Sequence, residues 1–302
     1  MKIATTIGEM YSYCASPAEA IELYRDTGFR YLDYSFYNVL STRQPPLLED
    51  SWEKHIYDAL SAAETNGFSF VQAHAPSGPI VGPGSEECLL ATQRSIEACG
   101  ILGIRNMVIH SAFIPTIHYP DGAQEYFKTN EPFFRALIPS MEANNVSILF
   151  ENTTIKHCAN HSYFPILGQD LNDFISFMDH PLFGAAWDVG HANMDSIDHE
   201  TEIMTMGRNL KAIHVHDNNG QRDQHIAPFL GTTDYDSLLR GLIRSGYEGY
   251  FTLESDGFLK YNRSETLSGP LAHPTLEMKR AALSFLYSIS EQMLRTYQVF
   301  EA

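Results

Sequence analysis

The 302-residue chain has no long apolar run, little cysteine and few positive charges. No stretch approaches the roughly 20 apolar residues of a membrane span, so an integral membrane protein is not expected. The opening MKIATTIGEMYSYC carries one basic residue and then Thr, Gly and Glu, where a secretory signal needs an apolar core. The four cysteines, Cys14, Cys88, Cys99 and Cys158, form no CxxC pair. That argues against a zinc ribbon or a thioredoxin-like motif and makes a reducing cytoplasm the expected compartment. Lys and Arg number 20 against 37 Asp and Glu, a formal charge of -17, which speaks against a general polyanion-binding surface. No low-complexity tract or linker divides the chain. What remains, 44% hydrophobic and 19% charged, is the composition of a folded globular enzyme.

A repeating unit is present. The segments DTGFRYLDY (26–34), TNGFSFVQAH (65–74), LGIRNMVIH (102–110) and SGYEGYFTLE (245–254) each place a Gly after a helical stretch and before a short hydrophobic run that ends on a polar residue. A glycine closing a helix, followed by a buried parallel strand, accounts for the pattern. Counting such runs predicts eight strands, at 3–6, 31–34, 69–74, 106–110, 147–151, 183–188, 212–216 and 250–254. Helical patterns lie between them, such as 16–26, with Ser16 as N-cap and Pro17 at the first position, and 234–245. Eight alternating β and α units point to a closed (β/α)8 TIM barrel, one domain over residues 1–302, with a doubly wound open sheet as the alternative.

In such a barrel the active site lies at the C-terminal ends of the strands. The polar residues there are His74, His110, Glu151, Asp188, His214 and Glu254. A single histidine ending a strand is more often a hydrogen-bonded structural residue than a ligand. Six such residues at one mouth reverse that judgement, because crowded carboxylates repel one another unless cations neutralise them. Imidazole and carboxylate together form the ligand mixture that divalent transition metals accept. His191, three residues after Asp188, is then a further ligand, a neighbour of a ligand or a general acid/base. In IHVHDNNGQRDQH (213–225), His214 and His216 share one strand face, and Asp223 with His225 makes a D-x-H pair that either chelates a metal or is solvated.

The motifs LFENTT, WDVGHAN, IHVHDNNG, RDQHI and TLES, in this order, resemble the xylose isomerase-like barrel superfamily. That superfamily holds sugar and sugar phosphate isomerases and epimerases together with AP endonucleases of the endonuclease IV type. The resemblance implies a single-metal site at Glu151, Asp188, His214 and Glu254 for the sugar enzymes. For the nuclease branch it implies a trinuclear zinc set that adds His74, His110, His191, Asp223 and His225. IHSAF, ENTTIK and HDNN depart from the nuclease pattern, and the loops 111–127, 152–167 and 255–273 hold few basic residues and many aromatics. A carbohydrate substrate is therefore expected ahead of nucleic acid. The epimerase pattern is also incomplete: His157 stands where a second Glu would follow Glu151, and His216 competes with His214 for the ligand position.

The expected chemistry is isomerisation or epimerisation by proton transfer, with Mn2+ or Zn2+ favoured and Mg2+, Co2+ or Fe2+ open. Glu151 and Glu254 would exchange the carbon-bound proton, His191 would move protons between oxygens, and Arg222 or His216 would hold a distal hydroxyl or phosphate. The loop after the eighth strand, with Gly257 and Gly269, is expected to act as a lid. A nuclease and a non-catalytic accessory barrel are the alternatives. Helix 273–293 packs either on the barrel or on a second copy of the chain in a homo-oligomer.

Overall fold

The computed structural model describes residues 1–155, 163–260 and 273–302. His157, Cys158 and Gly269 lie outside the described residues, as does most of the proposed lid. Eight parallel strands, β1 (Ile3–Thr6), β2 (Tyr31–Ser35), β3 (Ser69–His74), β4 (Asn106–Ile109), β5 (Ser147–Glu151), β6 (Phe183–Asp188), β7 (Leu210–Val215) and β8 (Phe251–Leu253), pair in sequence order. The ring closes where β1 pairs with β8, so this is a closed (β/α)8 barrel and not the open sheet.

The strands are buried on both faces and have no alternating polar side to show, which is why they appear in the sequence as continuous apolar runs. In β5 every residue is buried. Inside the barrel, Val108, Leu149, Ala186 and Ala212 form a small apolar plug, while the larger core lies between strands and helices.

The helices among the described residues are α1 (Pro17–Glu22), α2 (Val39–Thr42), α3 (Trp52–Asn66), α4 (Ser85–Leu102), α5 (Ala123–Asn144), α6 (Gly168–Met178), α7 (Val189–Met194), α8 (His199–Met206), α9 (Tyr235–Ser245) and α10 (Leu276–Thr296). Ser16 caps α1, its side chain accepting from Glu19 N at 3.3 Å, and Asp234 caps α9 through Ser237 N at 3.0 Å. Gly67, Gly103 and Gly246 close α3, α4 and α9 in the left-handed conformation. Gly28 does not close α1, which stops at Glu22, short of the expected 26. The Tyr24 hydroxyl donates to Thr6 O at 2.6 Å and Thr27 Oγ1 to Tyr24 O at 2.6 Å, so this stretch serves the β1 end instead of a further helical turn.

Three strands end earlier than expected, leaving His110, His216 and Glu254 just beyond β4, β7 and β8. Helix α10 buries Ala282, Leu283, Leu286, Met293 and Leu294 within the single chain, while Met278 and Phe285 on the same helix are exposed.

Candidate active site

The residues singled out from the sequence converge at the C-terminal mouth of the barrel. Glu151, Asp188, His214 and Glu254 each offer a ligand atom within 4.8 Å of the others. His214 is the hub. Its Nδ1 lies 2.6 Å from Glu151 Oε1 and 3.4 Å from Glu254 Oε2. His74 stacks on the His214 ring with centroids 5.6 Å apart, and its Nε2 is 3.6 Å from Glu151 Oε2. His110 Nε2 approaches the same oxygen to 2.6 Å, although without hydrogen-bond alignment.

A second group lies beside the first. His216 Nε2 is 3.2 Å from the Asp188 carboxylate, and the His216 ring stacks on His225 with centroids 3.8 Å apart. His225 Nε2 is 2.9 Å from Asp223 Oδ2, and His191 Nε2 is 3.6 Å from the same oxygen. His216, Asp223 and His225 also offer atoms within 4.8 Å of one another. Thus His214 and His216 take different partners, although alternation along the strand aims both inward.

Arg222, by contrast, is exposed and is not among the residues lining either cavity at this mouth. Asn219 Oδ1 accepts from the backbone of both Gln221 and Arg222, and this tight turn swings the segment outward before Asp223 returns. The expected substrate contact by Arg222 is thereby withdrawn.

Two residues absent from the sequence-based set hold the site's frame. Asn152 Oδ1 accepts from Asp188 N at 2.6 Å, and its amide donates to Asp188 O at 3.0 Å. Asn152 O meets His191 Nδ1 at 2.9 Å. Gly190, at the start of α7, faces the His216 ring so closely that a Cβ there would overlap it. The Gly190→Ala variant is expected to displace His216 and to cost about 2 kcal/mol in chemical denaturation. An unchanged denaturation midpoint would contradict this packing.

The electrostatics are those of carboxylates and imidazoles sharing protons. Burial would raise the Glu151 carboxyl, but the imidazoles of His214 and His110 overcome this and hold it well below its ordinary value. Burial likewise opposes ionisation of Asp188, which His191 and His216 bring down to about 2. Burial should lower the histidines too, yet Glu254 and Glu151 hold His214, and Asp188 and Asp223 hold His191, well above 6.5. His225, bonded to Asp223, is raised to about 10.

A pH dependence follows for the ion-free protein. The raised histidines contribute stability that is complete below their unfolded value of about 6.5 and is lost as pH rises through their folded values. The depressed carboxylates contribute above about 4.5 and lose that contribution as pH falls toward 2. The melting temperature in EDTA is therefore expected to peak between about pH 4.5 and 6.5 and to decline toward pH 9. A maximum at pH 8 to 9 would contradict these charge states.

Two adjoining cavities of about 300 and 330 Å³ open at this mouth and share Tyr37, His74, His110, His191 and Asp223. Glu254, His225, Asp256 and Lys260 line one; Glu151, Phe113 and Phe164 line the other. A larger cavity of about 640 Å³ sits at the opposite end, beside Met1, Lys2 and Tyr250. It is remote from the clustered carboxylates, and barrel active sites lie at the other face.

A divalent cation fits the donor set at this mouth. Ligands at about 2.0–2.3 Å from a common ion lie some 3–4 Å apart, close to the observed spacing. Among the described residues, Asp223 Oδ1 is buried without a hydrogen-bond partner, and so is Glu151 Oε2 apart from its unaligned contact with His110. Such atoms are costly unless a cation compensates them.

A family model described as a xylose isomerase-like TIM barrel matches residues 21–276. The chain belongs to this family. Two curated relatives carry uncharacterized names: MJ1311 of Methanocaldococcus jannaschii is 24% identical over 174 residues, covering 56% of each chain. The protein y4fM of Sinorhizobium fredii is 26% identical over 167 residues, covering 53% of this chain and 50% of the relative. The chain thus spans about half the length of the curated relatives it matches. Among solved structures, a D-psicose 3-epimerase from Clostridium cellulolyticum H10 with D-tagatose superposes at TM-score 0.71 and 17% identity, covering 99% of both chains. A D-tagatose 3-epimerase-like protein gives 0.70 and 17%, with 98% of both chains covered. The 3-keto-D-glucoside 4-epimerase of E. coli gives 0.68 and 18%, covering 95% of this chain and 99% of that one. At these identities the likeness is one of fold. No helix among the described residues is long and apolar enough to cross a membrane.

Proposed function

We propose that the protein is a divalent-metal-dependent sugar isomerase or epimerase, acting on a ketose, an aldose or a phosphate of either, in the cytoplasm. The observation that carries this reading is the meeting of Glu151, Asp188, His214 and Glu254 within 4.8 Å beside a cavity of sugar size. The epimerase activities named for the superposed structures support it. These four side chains would hold the ion, with Mn2+ or Zn2+ suited to their mixture of imidazole and carboxylate. The bound ion supplies Lewis-acid polarisation of a carbonyl and its neighbouring hydroxyl.

The chain's own residues do the rest. One of Glu151 and Glu254 takes the proton from the carbon beside the carbonyl, leaving its electron pair in an enediolate, and the other returns a proton to carbon. Both carboxylates bracket His214 Nδ1, so a single substrate position serves both. His191, within 3.6 Å of Asp223, would donate to a substrate oxygen as charge develops. Tyr37 and the stacked pair Phe113 and Phe164 wall the cavities with aromatic faces against which a sugar ring can lie.

The test is solvent deuterium incorporation in D2O across a panel of ketoses, aldoses and their phosphates. Exchange at one carbon of one sugar is expected. Absence of exchange with every sugar, together with cleavage of abasic duplex DNA, would overturn the reading.

A second reading, a trinuclear zinc phosphodiesterase, is favoured by two further potential ligand groups, His74 with Glu151 and His214, and His216 with Asp223 and His225. Against it, Lys260 is the single lysine or arginine among the described residues lining the two cavities, and it is paired with Asp256 at 2.7 Å. Phosphate tracking needs more.

A further inference from the structure

The barrel interior below the site is divided. On β4 to β7 it is apolar, with Val108, Leu149, Ala186 and Ala212. Across from these, β2, β3 and β8 contribute the buried polar residues Asp33, Gln72 and Thr252. Asp33 is 2% exposed, and neither carboxylate oxygen has a hydrogen-bond partner among the described residues. A carboxylate so placed costs several kcal/mol unless it faces a compensating positive group. The group it faces is His214, whose Nε2 lies 3.9 Å from Asp33 Oδ2.

The other neighbour of that nitrogen is Gln72 Nε2, 2.8 Å away, while Gln72 Oε1 accepts from Thr252 Oγ1 at 3.4 Å. An imidazole that offers Nδ1 to a cation carries its proton on Nε2, and that N–H needs an acceptor. With the amide turned end for end from this arrangement, Gln72 Oε1 accepts from that N–H and its nitrogen faces Thr252 Oγ1. Asp33 adds a negative charge behind it.

We propose that Asp33 and Gln72 are positioning residues that hold His214 from inside the barrel, keeping Nδ1 aimed at the space between Glu151 and Glu254. The claim rests on the reading of His214 as a metal ligand. Partners of this kind fix the ring's tautomer and raise its basicity, and their loss weakens metal binding by roughly 10–100-fold. A purely structural role for Asp33 would leave the metal untouched and show itself in folding stability alone.

The test uses Co2+ titration of the full-length protein, followed by visible absorption, for wild type, Asp33→Asn and Gln72→Met. Each variant is expected to bind Co2+ about 10-fold more weakly, with a shifted absorption band. Wild-type binding with unchanged affinity and spectrum in both variants would overturn the role of Asp33 and Gln72 alone. A wild-type protein that binds no Co2+ would overturn the metal-site reading and this inference with it. If Asp33→Asn fails to fold, Gln72→Met decides the matter by the same two readouts.

Discussion

Replacing Glu254 by glutamine is expected to lower substrate proton exchange by about 1,000-fold or more, and Glu151→Gln should do the same. The amide keeps the shape of the carboxylate but can neither take up a proton at neutral pH nor return one, and acid–base steps of this kind are worth about 10²–10⁴ in rate. Both residues also bracket His214 Nδ1, at 2.6 Å for Glu151 and 3.4 Å for Glu254, so each variant should lose part of its metal affinity as well. The two losses separate by saturation: at excess Mn2+ the metal site refills while exchange stays low. Measuring deuterium incorporation at several Mn2+ concentrations checks this, and wild-type exchange in either variant would remove the proposed proton-transfer roles.

Chelation should produce the other large effect. Stripping the protein with EDTA is expected to reduce proton exchange below detection and to lower the melting temperature at pH 7.5 by several degrees, with both restored by Mn2+ or Zn2+. Without the ion the carboxylates and protonated imidazoles partner one another; with it, the carboxylates and the deprotonated imidazole would hold the ion instead. Binding at 100-fold excess over the dissociation constant contributes about 2.7 kcal/mol to stability. Because binding must displace protons from His214, held above its ordinary value by Glu254 and Glu151, metal affinity should rise with pH. Exchange that persists undiminished in EDTA would contradict a metal role.

Much of this arrangement is legible in the chain because parallel barrel strands are buried on both faces. Apolar runs mark them, and the first polar residue after each run falls at the rim, as His74, Glu151 and Asp188 do at the ends of β3, β5 and β6. Strand length is less legible, since pairing stops where the neighbour's backbone turns away; hence His110, His216 and Glu254 fall just outside their strands. Loop direction was not legible at all, and Arg222 points to solvent because a side chain–backbone turn at Asn219 decides its course.

Asp33 and Gln72 were missed for a different reason. Each is a polar residue inside an apolar run, in YLDYS and SFVQAH, and only the closed ring shows that both face the same histidine. The signal was available for Gln72, which lies two residues before His74 and so on the same face of β3. Asn152 was visible as the neighbour of Glu151 in FEN, but its pairing with Asp188 crosses from one strand end to the next.

The most direct measurement is anomalous diffraction from crystals grown with Mn2+. One peak within about 2.0–2.4 Å of side-chain atoms from Glu151, Asp188, His214 and Glu254 together is the predicted result. A peak only among His216, Asp223 and His225, or none at this mouth, would contradict the account.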